Sequence, residues 1–457
     1  MDFNSALSNA VKSFKDYKGV VKLVSHFDTD GLTSISILIK ALQREDIKFS
    51  ASVVKQLDNK VLNEIKHEGY RCIIFSDLGS GYIKEINEIF NDELVIILDH
   101  HIISQTETRF FHINPLIYGE NGNSISGAGL AYLFSKELNI KNKDLAYLAI
   151  IGAVGDIQED KGFKSFNKNI LEDAIETGKI EVRHGLRMFG SQTKPLHKIL
   201  QFSTDPFIPG ITGNEFGAVT FLNELGIQLK DKDGRWRKLI HLDKEEMKKL
   251  VTGIVIRRIN EDKPEDILGQ IYILAEEPEE SPTRDVREFS TLLNCCGRLD
   301  KPTYGIGTCI GSKEMRERAI TLLNDYRMEL IKALDWFYRN RASKFVFEGE
   351  DFVIINARDN IRDTLIGTIA SIISKSNVYK EGTKIMALAH TSDGKSKISF
   401  RLSGFAEGID LRSNLGSIMS YVGKYEFGGH SNACGGIIPQ EKESLFIETA
   451  IEKLKSS

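Results

Sequence analysis

The chain has 457 residues, 41% apolar and 27% charged, with nine prolines, which excludes a fibrous or disordered polypeptide and points to two or three domains. Its 60 basic and 64 acidic side chains leave a net charge of −4, so no overall basic field advertises nucleic-acid binding and any such surface is local. Five scattered cysteines, Cys72, Cys295, Cys296, Cys309 and Cys434, with no CxxC pair, suit a reducing, cytoplasmic setting and argue against structural zinc or a disulfide framework. The N-terminus lacks the apolar core of a signal peptide, and no apolar run approaches the ~18 residues that span a membrane, so no membrane role is expected.

In chain order, 20–25 (VVKLVS) reads as a strand, 32–43 as a helix, 71–76 (RCIIFS) as a strand, 83–90 as a short helix and 94–98 (LVIIL) as a strand. Helical periodicity returns at 127–139 and 143–154. Short apolar strands alternating with helices predict a doubly wound, mostly parallel sheet, whose ligand sites lie at the carboxyl ends of its strands. From about 160 to 310 the texture changes to glycine- and proline-bearing loops. A hairpin is expected at 226–242 around Asp233-Gly234, then a helix near Asp243, where Asp243 and Glu246 have capping-box spacing.

Residues 312–342 contain no glycine or proline and predict one continuous helix of about 45 Å. A second α/β pattern follows: strands near 345–355, 384–390 and 397–402, and helices near 364–375, 410–422 and 441–455. Between Lys230 and Lys263 eleven basic residues face seven acidic ones, and between Lys313 and Lys344 eight face five. With Trp236, Trp336, Phe337 and Tyr338 nearby, these stretches are either nucleic-acid grooves or solvated helix faces with aromatics in the core.

Four polar spots fall where the first sheet should present its strand ends: His26-Phe27-Asp28-Thr29-Asp30-Gly31, Asp77 in IIFSDLGSG, Asp99-His100-His101 in VIILDHHIIS, and Asp156 in IGAVGDIQED. In extended chain, residues two apart point the same way, so His26, Asp28 and Asp30 are expected to face one pocket, with Gly31 allowing a sharp turn into the next helix. A lone carboxylate at such a place is ordinarily a helix cap. Several together repel one another unless cations compensate them. Carboxylate oxygen with neutral imidazole suits Mn²⁺, with Mg²⁺, Co²⁺ or Zn²⁺ as alternatives. Five carboxylates exceed what one ion needs. Two ions sharing a bridging carboxylate would account for them, and such pairs catalyse phosphoester hydrolysis.

HFDTDG, SDLG, LDHH and VGD, in this order, resemble the four motifs of the DHH phosphoesterase superfamily; KISFRLS and FGGHSNACGG resemble those of the DHH-associated domain. The resemblance implies an α/β protein with a DHH catalytic domain at 1–200, an inserted middle module at 201–311, a connecting helix at 312–342 and a smaller DHH-associated substrate-binding domain at 343–457. It makes His26, Asp28 and Asp77 ligands of one Mn²⁺, and Asp30, Asp77, His100 and Asp156 ligands of the other. Asp99 would orient His100 or its neighbour, and His101 would contact the scissile phosphate. In some members the first His stands four residues before the first motif Asp, whereas His26 stands two before it. Ser399, Arg401, Gly428, Gly429 and His430 would grip substrate phosphate: glycines admit close backbone approach, and Ser399 and Arg401 share a strand face.

The segment REFSTLLNCCGRLDKPTYGIGTCIG, 287–311, resembles archaeal RecJ-like proteins, including nucleases associated with the GINS replication complex. That resemblance implies a metal-dependent exonuclease acting on single-stranded DNA or RNA, running 5′→3′ and releasing mononucleotides, in replication or repair, with GINS and the replicative helicase as partners. The alternatives are a phosphodiesterase of cyclic dinucleotides or very short oligonucleotides, a replisome scaffold, and a 3′→5′ RNA exonuclease.

Overall fold

The computed structural model describes residues 2–159, 162–203, 206–261, 263–376, 378–404, 408–425, 427–429 and 431–455. The chain divides into two compact units, Met1–Leu323 and Asn324–Ser457.

The first unit opens with helix α1 (Phe3–Asp16), then alternates β1 (Val21–His26), α2 (Thr29–Arg44), β2 (Phe49–Val54), α3 (Asn59–His67), β3 (Cys72–Ser76), α4 (Ile83–Ile89), β4 (Leu94–Leu98) and β5 (Phe111–Ile113). The five strands pair in the order β2-β1-β3-β4-β5, all parallel. Val24, Ile73, Phe75, Val95 and Ile97 form one buried face with residues of α3 and α4. Leu23, Ile74 and Ile96, on the alternate face, are also fully buried. Burial on both faces explains why β1, β3 and β4 read as apolar runs rather than alternating ones. The strand order reverses direction at β1 and β3, so the crevice beyond their carboxyl ends is the fold's natural binding position.

Helices α5 (Gly127–Leu138), α6 (Ala146–Gly155) and α7 (Ser165–Glu176) follow. Next comes a two-stranded antiparallel ribbon of β6 (Ile180–Leu186) and β7 (Leu268–Leu274), which brackets α8 (Leu196–Gln201), α9 (Glu215–Glu224) and α10 (Lys244–Arg257). The bracketed helices share their own apolar core, which includes Leu200, Ile211, Phe221, Leu250 and Ile254. Helices α11 (Val286–Arg298) and α12 (Pro302–Ile310) return to pack on α2. With α5 and α6 also against it, α2 is buried nearly all round, and its Thr33 and Ser36 hydroxyls donate to the carbonyls of Thr29 and Leu32 four residues back.

The expected hairpin at 226–242 is reduced to a single bridge, Lys230 to Trp236, around a turn in which Asp231 Oδ1 accepts from the backbone N–H of Asp233 and Arg235. Its second arm turns helical at Leu239–His241 before a ladder can form. The capping box forms as spaced: Asp243 Oδ1 accepts from Glu246 N at 2.8 Å, and Glu246 Oε2 accepts from Asp243 N at 3.1 Å.

Helix α13 (Lys313–Asn340) is continuous, about 42 Å long at 1.5 Å per residue, and the division between the two units falls within it. The second unit holds β8 (Val346–Glu348), β9 (Phe352–Asn356), α14 (Asp363–Lys375), β10 (Lys384–His390), β11 (Lys395–Leu402), α15 (Leu411–Val422), β12 (Phe427–Gly429), β13 (Ala433–Pro439) and α16 (Glu443–Lys455). Its six strands pair in the order β12-β13-β11-β10-β9-β8, and only β9 and β10 run parallel. The single strand expected at 345–355 is two antiparallel ones, because the chain turns where Gly349 N–H donates to the Phe352 carbonyl. Helices α15 and α16 close one face over Ile354, Met386, Ile398 and Phe400.

Candidate metal centre

The strand ends converge through a different geometry from the expected alternation. Only His26 belongs to β1. Asp28 is the N-cap of α2, and Asp30 lies in that helix's first turn. Gly31 is already helical with no positive φ; a Cβ there would overlap the His26 carbonyl, so the glycine serves close approach rather than a sharp turn. Asp28 does both things open to it: Oδ1 accepts from Gly31 N at 3.0 Å as a cap, while Oδ2 stands 2.9 Å from His26 Nδ1.

Asp77, next after β3, takes left-handed backbone (φ 60°) and is 2% exposed. The two oxygens of its carboxylate look in different directions. Oδ2 lies 3.8 Å from His26 Nδ1, and Oδ1 lies 3.5 Å from His100 Nε2. His100 Nε2 is also 3.0 Å from Asp156 Oδ2 and 3.6 Å from Asp30 Oδ2. Two candidate ligand sets therefore share Asp77: His26, Asp28 and Asp77, and Asp30, Asp77, His100 and Asp156, each with its donor atoms within 4.8 Å of one another. A third grouping joins Asp77, His100 and His101.

The donor set fits divalent cations. Both oxygens of Asp77, His26 Nδ1 and His100 Nε2 are buried without a hydrogen bond, although acceptors lie close: the contacts are short but out of line for N–H···O. His100 Nδ1 contacts the Gly122 carbonyl at 3.0 Å, which makes Nδ1 the donor and leaves the Nε2 lone pair for a metal. Like charges at about 4 Å cost about 4 kcal/mol per pair at an effective dielectric constant of ~20, so several such pairs rival the whole stability of a domain. Accordingly, burial and then the neighbouring Asp30 and Asp28 push the Asp77 carboxyl well above its usual range, and burial with Asp156 raises Asp30 to about 6. Cations remove that penalty.

Asp30 is held by the first turn of α5, accepting from Gly127 N at 2.6 Å and Ala128 N at 3.0 Å. Asp99 orients His101 and not His100: its Oδ1 meets His101 Nδ1 at 2.7 Å and accepts from His101 N at 3.2 Å, while Oδ2 accepts from Ser80 N. Burial opposes ionisation of Asp99, but His101 and the Ser80 N–H outweigh it and hold this carboxyl far below its usual range. His101 itself is raised, burial being overcome by Asp99. Asn114 donates to both Ser80 Oγ and the His101 carbonyl, bracing the pair.

Two glycines that the motifs do not mark are essential to this packing. A Cβ on Gly127 would stand 2.6 Å from Asp77 Cβ, and one on Gly152 would overlap Asp30 Oδ1 and stand 2.6 Å from Thr33 Oγ1. Their sequence signal is only a glycine at the start and on the inner face of helices rich in small residues.

In the second unit, Ser399 and Arg401 share the β11 face covered by α14. The guanidinium donates to Ser371 Oγ and to the carbonyls of Phe400 and Cys434, and the buried Ser399 Oγ has no hydrogen-bond partner. Gly428 and Gly429 lie on β12, Gly429 at φ 118° against Ala433 and Cys434. His430 lies outside the described residues.

Family models match three segments: the DHH family N-terminal domain at 21–153, the DHH-CID domain at 188–271 and the DHHA1 domain at 350–456. The chain is a member of the DHH superfamily, and its fold is RecJ-like. An uncharacterized protein of Methanocaldococcus jannaschii is 28% identical over 448 residues, covering 96% of this chain and 94% of that one. The chain is similar to RecJ from Thermus thermophilus, solved with Mn²⁺ (TM-score 0.60, 13% identity), covering 98% of itself and 55% of that protein, so it spans about half the RecJ length. It is also similar to CDC45 from Entamoeba histolytica (TM-score 0.65, 12% identity), covering 100% and 99% of the two chains. Among the described residues, no helix is long and apolar enough to cross a membrane.

Proposed function

We infer that the protein is a divalent-metal-dependent phosphodiesterase that trims single-stranded DNA or RNA from an end and releases mononucleotides, and that two Mn²⁺ would be held by His26, Asp28, Asp30, His100 and Asp156 with Asp77 common to both sites. The observation that carries this is the buried Asp77 carboxylate, whose two oxygens lack hydrogen-bond donors and face two separate sets of His and Asp ligands. Cations bound there supply Lewis-acid activation of the scissile phosphate and of the attacking water.

The chain's own groups do the rest. Gly127 and Ala128 N–H fix Asp30, and the Gly122 carbonyl fixes the His100 tautomer. Asp99 takes the Nδ1–H of His101 and raises its imidazole, which favours a proton at Nε2, on a side chain 56% exposed, for donation to a phosphoryl or leaving oxygen. Ser399, Arg401 and the Gly428-Gly429 backbone, with His430, are the groups proposed to grip the substrate phosphate. Polarity 5′→3′, a role in replication or repair, and GINS and replicative helicase as partners rest on the family resemblance.

The test is Mn²⁺-dependent digestion of single-stranded DNA and RNA about 20 nucleotides long, labelled separately at each end, with Asp77→Ala as control. Progressive release of mononucleotides by the wild type alone supports the reading. Inert oligomers with rapid dinucleotide cleavage would make it a small-substrate phosphodiesterase, and metal binding without any cleavage would leave a scaffold.

A further inference from the structure

A strip of exposed rings interleaved with lysines runs over the helical module of the first unit. Phe189, Phe202 and Trp236 are 40%, 57% and 45% exposed. Lys194 Nζ sits 4.7 Å from the Phe189 ring centre and 5.6 Å from that of Phe202; Lys198 Nζ sits 5.8 Å from Phe202, and Lys230 Nζ 4.6 Å from Trp236. The two ends are joined through the buried His197. Lys198 pairs with Glu215 at 2.6 Å, His197 Nε2 approaches the same carboxylate at 3.7 Å, and the His197 ring packs on Trp236 at 4.6 Å.

We propose that this strip is a stacking platform for single-stranded nucleic acid. A single strand offers unpaired base faces and a phosphate at each step, the two chemistries that exposed rings with adjacent ammonium groups recognise, independently of sequence. A duplex keeps its base faces stacked inside. An apolar protein surface would have to bury three ammonium groups beside the rings at a desolvation cost that a polyanion does not incur.

The platform is tied to the metal centre. Between Phe189 and Lys194, Gln192 N and Thr193 Oγ1 donate to the buried Glu288 of α11. Two and six residues further along the same helix, Ser290 O accepts from Thr29 Oγ1 at 2.6 Å, and Asn294 Oδ1 accepts from Thr29 N at 3.1 Å. Thr29 stands between Asp28 and Asp30. A strand held on the strip is thus anchored to the same rigid element that backs the ligand-bearing turn. That the strand is then cleaved rests on the phosphodiesterase reading; the binding does not.

The test is fluorescence anisotropy of the full-length protein in chelator, where cleavage is silent, with a labelled oligodeoxythymidine about 20 residues long and a duplex of the same length. The wild type should prefer the single strand. Phe202→Leu should weaken it roughly tenfold and Phe202→Leu with Trp236→Leu roughly a hundredfold, whereas Phe202→Trp should hold the affinity. Lys194→Glu with Lys198→Glu should flatten the salt dependence of log Kd by about 1.4, two phosphate contacts on a single strand. Leucine retains apolar bulk, so lost packing does not mimic the effect. Unchanged affinity in the double leucine variant, or preference for duplex, would overturn the platform and leave a protein-facing surface. Failure of the wild type to cleave in Mn²⁺ would refute the phosphodiesterase reading without altering this result.

Discussion

Asp99 holds His101 by both of its nearby donors, the imidazole Nδ1–H at 2.7 Å and the backbone N–H at 3.2 Å, and so fixes tautomer and ring direction at once. Asp99→Asn leaves one carbonyl oxygen for the Ser80 N–H on one side and the two His101 donors on the other, so one side must lose its acceptor. Its turnover should fall about 10- to 100-fold. His101→Ala should lose about 10²- to 10⁴-fold. Both should keep the wild-type manganese content by elemental analysis; loss of metal in Asp99→Asn would mean the carboxylate serves the ions and not the imidazole.

The close approaches at Gly127 and Gly152 make them tests of the pocket's shape. Gly127→Ala should cost about 1–3 kcal/mol in denaturant unfolding and weaken metal binding, because the added methyl meets Asp77. Gly152→Ala should do the same through Asp30. Gly81→Ala, whose Cβ meets nothing within 4 Å, should stay within about 0.5 kcal/mol of wild type.

Glu288 links stability to pH. Burial raises its carboxyl from 4.5 to about 7, despite hydrogen bonds from Thr193 and Gln192. Between those values the folded protein keeps a proton that the unfolded chain has released, so stability from this group is present at low pH and is lost as pH rises through the window. Compared by urea unfolding in chelator at pH 5 and pH 8, the wild type should lose about 2–3 kcal/mol more than Glu288→Gln. Equal losses would show that this carboxyl ionises normally.

What was legible in the sequence follows burial. β1, β3 and β4 are covered on both faces and announce themselves as apolar β-branched runs, whereas β2 (FSASVV) is half-buried with Ala51 exposed and β5 is three residues long; neither leaves a strong local signal. The pairing of β6 with β7, across the whole helical module, depends on tertiary contacts no local pattern encodes. The residues of the candidate metal centre were legible as a cluster because polar groups at strand ends stand out against apolar runs. The Gly127 and Gly152 packing, the Gly122 carbonyl on His100 and the choice of His101 over His100 by Asp99 arise only when distant segments meet. Of the aromatics flagged by composition, Trp236 is exposed while Phe337 is fully buried, a distinction periodicity did not make.

The central claim, that Asp77 would serve both of two adjacent cation sites, is tested most directly by counting Mn²⁺ and recording its electron paramagnetic resonance. The wild type should bind two Mn²⁺ per chain with the exchange-coupled spectrum of a carboxylate-bridged pair, and Asp77→Ala should lose the coupled signal and at least one ion. A single isolated Mn²⁺ in the wild type, or an unchanged coupled pair in Asp77→Ala, would contradict the account.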